Sequence, residues 1–328
     1  MQKIKLDAYD RKLLSALDMD ARQPASSLGK NLRMSRSTVE YRMHRLEKLG
    51  VIKGYYAVCD QTRLGFHIYR LTLKFRDMDI EKESQIYEHC KKENSIVWAA
   101  KLEGPWDFVA VILAKDPYKY KEVERELMFK FGHHVKEHNA SISLKIMHKP
   151  HNYLYTKQNN SSIIIGDSPG HLTIDNIDQI IVSELTSNAR IPLIDLSRKI
   201  KLTSNAIASR ISALERKGII KGYRPVIDIS LMGFQHYKTY LSLANLDHQK
   251  FRSIVSYLAA LTNVVYITEA FSEGDLEFES QVERSSELYD LIRDLSASFR
   301  GAVKDYYVLL SFKTLDLGNK QSSSFTIN

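Results

Sequence analysis

Arg33, Ser35, Arg36, Ser37, Tyr41, Arg42, His44, Arg45 and Lys48 crowd into one short stretch. Guanidinium forks match phosphate oxygens and the O6/N7 edge of guanine, and hydroxyl groups add further hydrogen bonds. The chemistry these residue types suit is nucleic-acid recognition. Their spacing supports it. Val39, Met43 and Leu46 fall at i, i+4 and i+7, one apolar stripe of an α-helix. Ser35 stands where a helix N-cap accepts a first-turn N–H, and Gly50 stands where such a helix ends. The duplex-contacting set read from this stretch is Arg33, Ser35, Arg36, Ser37, Tyr41, Arg42 and Arg45. The competing reading is a three-helix packing unit with a solvated basic face.

The stretch recurs. Leu46 to Tyr55 and Leu214 to Tyr223 are identical at seven of ten positions, at a constant offset of 168. The same offset pairs Asp10 with Asp178, Ala21-Arg22 with Ala189-Arg190, Arg42 with Arg210 and Gly65-Phe66 with Gly233-Phe234. Repeats at a fixed offset mean a duplicated module. The second copy offers Lys201, Ser204, Asn205 and Arg210 as its contacting set. Ala208 and Ser209 reach less far than Tyr41, so this copy is expected to contribute phosphate contacts and less base reading.

Charge follows the repeat. Residues 1–65 hold thirteen Lys and Arg against seven Asp and Glu, and 173–233 hold nine against six. The last block, 234–328, is acidic, with nine against twelve. A localised basic excess suits a polyanion. No apolar run approaches the roughly 20 residues of a membrane helix. Two cysteines, Cys59 and Cys90, indicate no disulfide framework. These features point to the cytoplasm, with no membrane partner. No phosphate loop, nucleophile triad or zinc motif is present, and no cofactor is implied. His133, His134 and His138 read as a solvated cluster at a helix end rather than a metal site.

Around each basic helix the patterning supplies two more helices. Leu13, Leu14 and Leu17 mark the first after Asp7, and Pro24 opens a second with Leu28 and Leu32 inside. The second-to-third spacing is that of a helix-turn-helix. Val51 to Tyr56 reads as a wing strand. Beyond Gly65 the order becomes strand, helix, strand, strand, helix, strand, the ferredoxin-like βαββαβ arrangement, and copy two repeats it. A four-stranded sheet with helices on one side leaves its other face to be covered, often by another sheet. The expected class is α+β, with two winged helix-turn-helix domains and two ferredoxin-like domains in tandem. The expected boundaries are 1–62, 63–150, a polar linker over 151–172, 173–230, 231–315, and a frayed tail over 316–328. Within the linker, Ile163 to Ile165 could form a short docked strand.

The chain resembles the Lrp/AsnC, or feast/famine, transcription regulators. The resemblance rests on Leu6-Asp7 with Asp10, and on Ser35, Val39, Arg42, Leu46-Glu47 and Gly50-Val51-Ile52 with Gly54-Tyr55. Leu64-Gly65 and the turn Gly104-Pro105-Trp106-Asp107 extend it. It implies a sequence-specific reader of double-stranded DNA joined to a dimerising domain that often senses an amino acid. It implies sheet-to-sheet pairing, here as an intramolecular pseudo-dimer, a homo-oligomer, or both. It also places the effector beside Gly104 and Asp107, the carboxylate meeting a ligand ammonium. In copy two it puts Glu277 where that Asp is expected. Two alternatives stand beside the regulator. One is a sirohaem-decarboxylase-like enzyme on the same fold, although Ser95 to Ala100 and Asn263 to Ile267 lack that family's histidine. The other is an amino-acid sensor or scaffold that does not bind DNA.

Overall fold

The computed structural model describes residues 3–154, 161–272 and 274–314. The tail expected over 316–328 lies outside the described residues, as do residues 155–160 of the expected linker.

Three helices open each copy. In the first they are α1 (Ala8–Met19), α2 (Ala25–Leu32) and α3 (Arg36–Lys48). Asp7 and Asp10 form a reciprocal capping box at the start of α1, with bonds of 2.8 and 3.1 Å. Pro24 is the residue before α2, and Arg33 ends that helix in a left-handed conformation at φ 56°. Ser35 caps α3 by accepting the Thr38 N–H at 3.0 Å. Strand β1 (Ile52–Cys59) follows, then β2 (His67–Phe75), α4 (Ile80–Lys92), β3 (Ile96–Glu103), β4 (Phe108–Ala114), α5 (Pro117–Phe131) and β5 (Val135–His148). A short strand, β6 (Ile163–Ile165), separates the copies.

Copy two repeats this order. It runs α6 (Asn176–Ser187), α7 (Leu193–Ile200), α8 (Ser204–Arg216), β7 (Ile220–Ile227), β8 (Gln235–Leu243), α9 (His248–Ala260), β9 (Val264–Phe271), β10 (Leu276–Val282), α10 (Ser285–Ser298) and β11 (Val303–Thr314).

The wing strands do not stay with their own helices. β1 and β7 pair antiparallel, with Tyr55 opposite Pro225 and Ala57 opposite Tyr223. A lone strand leaves a row of N–H and C=O groups unmet, and the two copies satisfy each other's. The contacts are reciprocal. The Ala21 N–H donates to the Tyr223 carbonyl at 3.0 Å, and the Ala189 N–H to the Tyr55 carbonyl at 2.8 Å. Arg22 donates to the Ala189 carbonyl and Arg190 to that of Ala21, each guanidinium lying over the other copy's tyrosine. Leu13, Leu17 and Leu46 share one core with Ile181, Leu185 and Leu214. The two helix-turn-helix units are therefore one body with a pseudo-twofold.

The ferredoxin-like halves also join. In copy one the strand order is β5-β2-β4-β3, and in copy two β11-β8-β10-β9. β3 pairs with β11 and β5 with β9, so the two sheets close into an eight-stranded antiparallel barrel. Closure removes all the free edges of both sheets. The helices lie outside, packed on Tyr69, Leu71 and Phe108 in one half and Leu241, Ile267 and Phe278 in the other.

The described part of the segment between the copies packs on both bodies. Leu154 is buried in the shared helical core, and β6 pairs with the end of β5, with Met147 opposite Ile164. Among the described residues no helix is long and apolar enough to cross a membrane.

Candidate nucleic-acid interface and the barrel interior

The apolar stripe Val39, Met43 and Leu46 is buried, so α3 turns its other side outward. Arg36 and Tyr41 stand exposed there, the latter at 68%, beside exposed Ser37, Glu40 and His44. Arg36 Nε donates to Glu40 Oε1 at 2.8 Å, an exposed pair that a phosphate or base could displace at little cost. A groove of about 470 Å³ runs between Pro24 and Ser26 on one side and Arg36, Glu40, His44 and Arg190 on the other. Arg33 is exposed just before the helix. Ser35 serves chiefly as the cap.

Arg42 and Arg45 are held by carboxylates of α1. Arg42 Nη1 lies 2.8 Å from Asp7 Oδ2 and 2.7 Å from Asp10 Oδ1, and Arg45 pairs with Asp10 Oδ2. Asp10 is fully buried. A buried carboxylate without a cation is costly, so α1 recruits both guanidinium groups. They clamp α3 to the start of α1. Arg42→Ala should therefore lower stability by about 1–3 kcal/mol in urea unfolding. A base-reading arginine would instead leave stability within about 0.5 kcal/mol, as exposed substitutions do.

Copy two keeps the clamp but exposes different side chains. Arg210 Nη1 sits 2.7 Å from both Asp175 and Asp178, the same clamp as in copy one. Lys201 is exposed in the left-handed position at φ 61°. On α8, Asn205 and Ser209 are exposed and Ser204 is half-buried.

The barrel interior divides into two halves. Ala100, Leu102, Trp106, Val109, Tyr240 and Leu309 make an apolar cluster. Beside it lies a buried ionic group that the sequence reading missed. Arg70 Nη2 donates to Glu277 Oε1 at 2.6 Å, Lys238 Nζ is 2.9 Å from both Glu277 and Glu279, and His236 Nε2 is 2.8 Å from Glu279. Burial pushes the Glu277 carboxyl up, but Lys238 and Arg70 outweigh it and hold it at about 2. Glu279 is held far below the usual carboxylate range by Lys238 and His236, against the same burial.

A polar chain continues from this group to the helical body. Gln281 Nε2 meets His236 Nδ1 at 3.0 Å, and the Tyr153 hydroxyl donates to Gln281. His148 stacks on Tyr266 at 4.4 Å between ring centres. Burial lowers His148 to about 3, with Arg224 adding to the effect, so this imidazole is neutral. Arg224 Nη1 lies 3.1 Å from Asp18 Oδ1, and the His151 N–H donates to Asp18 Oδ2 at 2.7 Å. Burial raises the Asp18 carboxyl, yet His151 and Arg224 together hold it well below the usual range.

The Gly104 turn packs closely against β11. Gly104 has φ +134°, and a Cβ there would meet the Val308 carbonyl of β11 at 2.8 Å. Asp107 Oδ1 accepts from Lys74 at 2.7 Å and Oδ2 from the Phe75 N–H at 2.8 Å. In copy two the matching carboxylate is Asp275, whose Oδ2 accepts the Leu243 N–H at 2.6 Å. The expectation that Glu277 stands in the place of Asp107 is thus off by two positions. At the offset of 168, Glu277 corresponds to Val109 and Lys238 to Arg70.

The rings of His133 and His134 lie 3.9 Å apart at a tilt of 52°, and His138 lies 3.3 Å from Glu124. Among the described residues no three His, Cys, Asp or Glu side chains are grouped to hold a metal ion.

Residues 6–47 match the AsnC-type helix-turn-helix domain, and 174–221 match a winged helix-turn-helix DNA-binding domain. An uncharacterized HTH-type transcriptional regulator of Pyrococcus horikoshii is 32% identical over 127 residues, 38% of this chain and 82% of that relative. A similar regulator of Pyrococcus furiosus is 30% identical over 146 residues, 43% of this chain and 94% of its own length. The proline dehydrogenase transcriptional activator of Rhodobacter capsulatus is 34% identical over 98 residues, 30% of this chain and 62% of that protein. In three dimensions the siroheme decarboxylase NirDL has the same fold, with a TM-score of 0.63 at 11% identity over 97% of this chain and 98% of that one. With two such modules joined through a shared helical core and a closed barrel, the chain belongs to the Lrp/AsnC family of helix-turn-helix regulators.

Proposed function

We propose that this chain is a sequence-specific DNA-binding transcriptional regulator. The observation that carries the reading is the pair of helices, α3 and α8, held at equivalent places by the β1–β7 ribbon, with the outer side of α3 exposed and rich in hydrogen-bonding side chains. Phosphate contacts come from Arg33, Lys48, Lys201 and Arg216, all exposed. Base contacts come from Arg36, Ser37 and Tyr41. Such binding releases counterions, so affinity for a duplex should fall by about 10³-fold or more between 50 and 200 mM salt if six phosphates are engaged. Fluorescence anisotropy with a labelled duplex measures this. Absence of binding, or affinity indifferent to salt, would remove the reading.

Control by an amino acid fits the family. The Gly104 turn supports it weakly, since a ligand ammonium would have to displace Lys74 from Asp107. On this reading the chain is not an enzyme. A siroheme-decarboxylase-like activity on the shared fold is the alternative, and it requires a tetrapyrrole to bind, seen as a shift in visible absorbance.

A further inference from the structure

The scaffold around α3 and α8 is symmetric, and the side chains they expose are not. Ser35 and Thr203 cap the two helices alike, and Arg42 and Arg210 clamp them alike. Exposed cations also recur at equivalent positions: Lys30 and Arg198, Arg33 and Lys201, Lys48 and Arg216. These suit phosphates, and phosphate contacts position a protein without carrying sequence information.

The positions that could reach base edges differ at every step. Arg36, Glu40, Tyr41 and His44 on α3 correspond to Ser204, Ala208, Ser209 and Ser212 on α8. The first set is long and polar, and the second is short. At the remaining position the order reverses: Ser37 corresponds to Asn205, which is suited to a two-point contact with adenine. A homodimer presents the same helix twice, and its operator mirrors that as an inverted repeat. Here one covalent chain always carries one helix of each kind, tied across β1 and β7.

We propose that the duplex recognised by this chain is not an inverted repeat. Its α3 half-site is read base by base, its α8 half-site is held mainly through the backbone, and each chain lies on the DNA in one fixed orientation. The inference rests on the DNA-binding reading above.

The test is selection of bound duplexes from a randomised library by the full chain, followed by sequencing. The expected result is one half-site where a wrong base pair costs roughly 10-fold or more in affinity, and a second that tolerates most changes. Arg36→Ala with Tyr41→Ala should erase the preference in the specified half. Grafting the α3 set onto α8 (Ser204→Arg, Asn205→Ser, Ala208→Glu, Ser209→Tyr, Ser212→His) should turn the selected sites into inverted repeats. An inverted repeat with equal information in both halves, selected by the unaltered chain, would overturn this inference and leave DNA binding standing. No enrichment of any sequence in salt conditions where duplexes bind would also overturn it. No binding at all would overturn both readings.

Discussion

Glu277→Val should destabilise the protein by about 3–5 kcal/mol in urea unfolding. Glu277 is fully buried and receives both Arg70 and Lys238, and valine is what copy one carries at the matching position, Val109. Valine is smaller than glutamate, so the substitution adds no bulk to the barrel. What it removes is the shared partner of two buried cations, and an unpaired buried charge is the costly outcome. The double variant Arg70→Met, Glu277→Val should recover much of the loss, because Lys238 retains Glu279 at 2.9 Å. A single-variant loss below about 1 kcal/mol would mean that the ionic group is hydrated or dispensable.

The same pair sets a pH window. The folded-state pKa of Glu277 is about 2, below the ordinary 4.5. Its contribution is present above pH 4.5 and fades as pH falls toward 2. The stability gap between the parent and Glu277→Val should narrow over that interval. His148 acts higher. Its folded pKa of about 3 lies below the ordinary 6.5, so the folded state disfavours the proton that the unfolded chain accepts. Its share of stability is full above pH 6.5 and declines below it.

Arg224→Met should cost a similar amount, about 3–5 kcal/mol, and its effect should be uneven in space. Arg224 and Asp18 are each 1% exposed, and Arg224 also donates to the Asp18 backbone carbonyl. The guanidinium ties the end of α1 to β7. Its counterpart in copy one is Tyr56, so no equivalent tie joins α6 to β1. Amide exchange should rise more at Ala21, whose N–H reaches Tyr223, than at Ala189, whose N–H reaches Tyr55. Equal loss of protection at both would show that the variant only lowers global stability.

The elements were legible because they obey local rules. Val39, Met43 and Leu46 spell a helical stripe, Ser35 and Thr203 mark caps, and the order of strands and helices gives the ferredoxin-like halves. What pairs with what was not legible. The alternation in Val51 to Tyr56 indicates a strand but not whose edge it meets, and β1 meets the other copy. Arg42 illustrates the same limit in the candidate site. It shares a helix with exposed Arg36, and only the structure shows that it reaches a buried carboxylate 32 residues away. Arg70 sits between Tyr69 and Leu71 in β2 and corresponds to Lys238, so each copy places a cation at the same strand position. The acids that neutralise them come from one copy alone, so the offset could not reveal them.

The barrel closes with strands from both halves of one polypeptide, and this frees the assembly from mass action. In a pair of separate chains the two sheets would drift apart on dilution, and the melting temperature would follow protein concentration. Here each sheet's partner is supplied by its own backbone at a fixed effective concentration. The paired form therefore persists at the lowest copy numbers a cell can hold. A single molecule also suffices to carry both recognition helices.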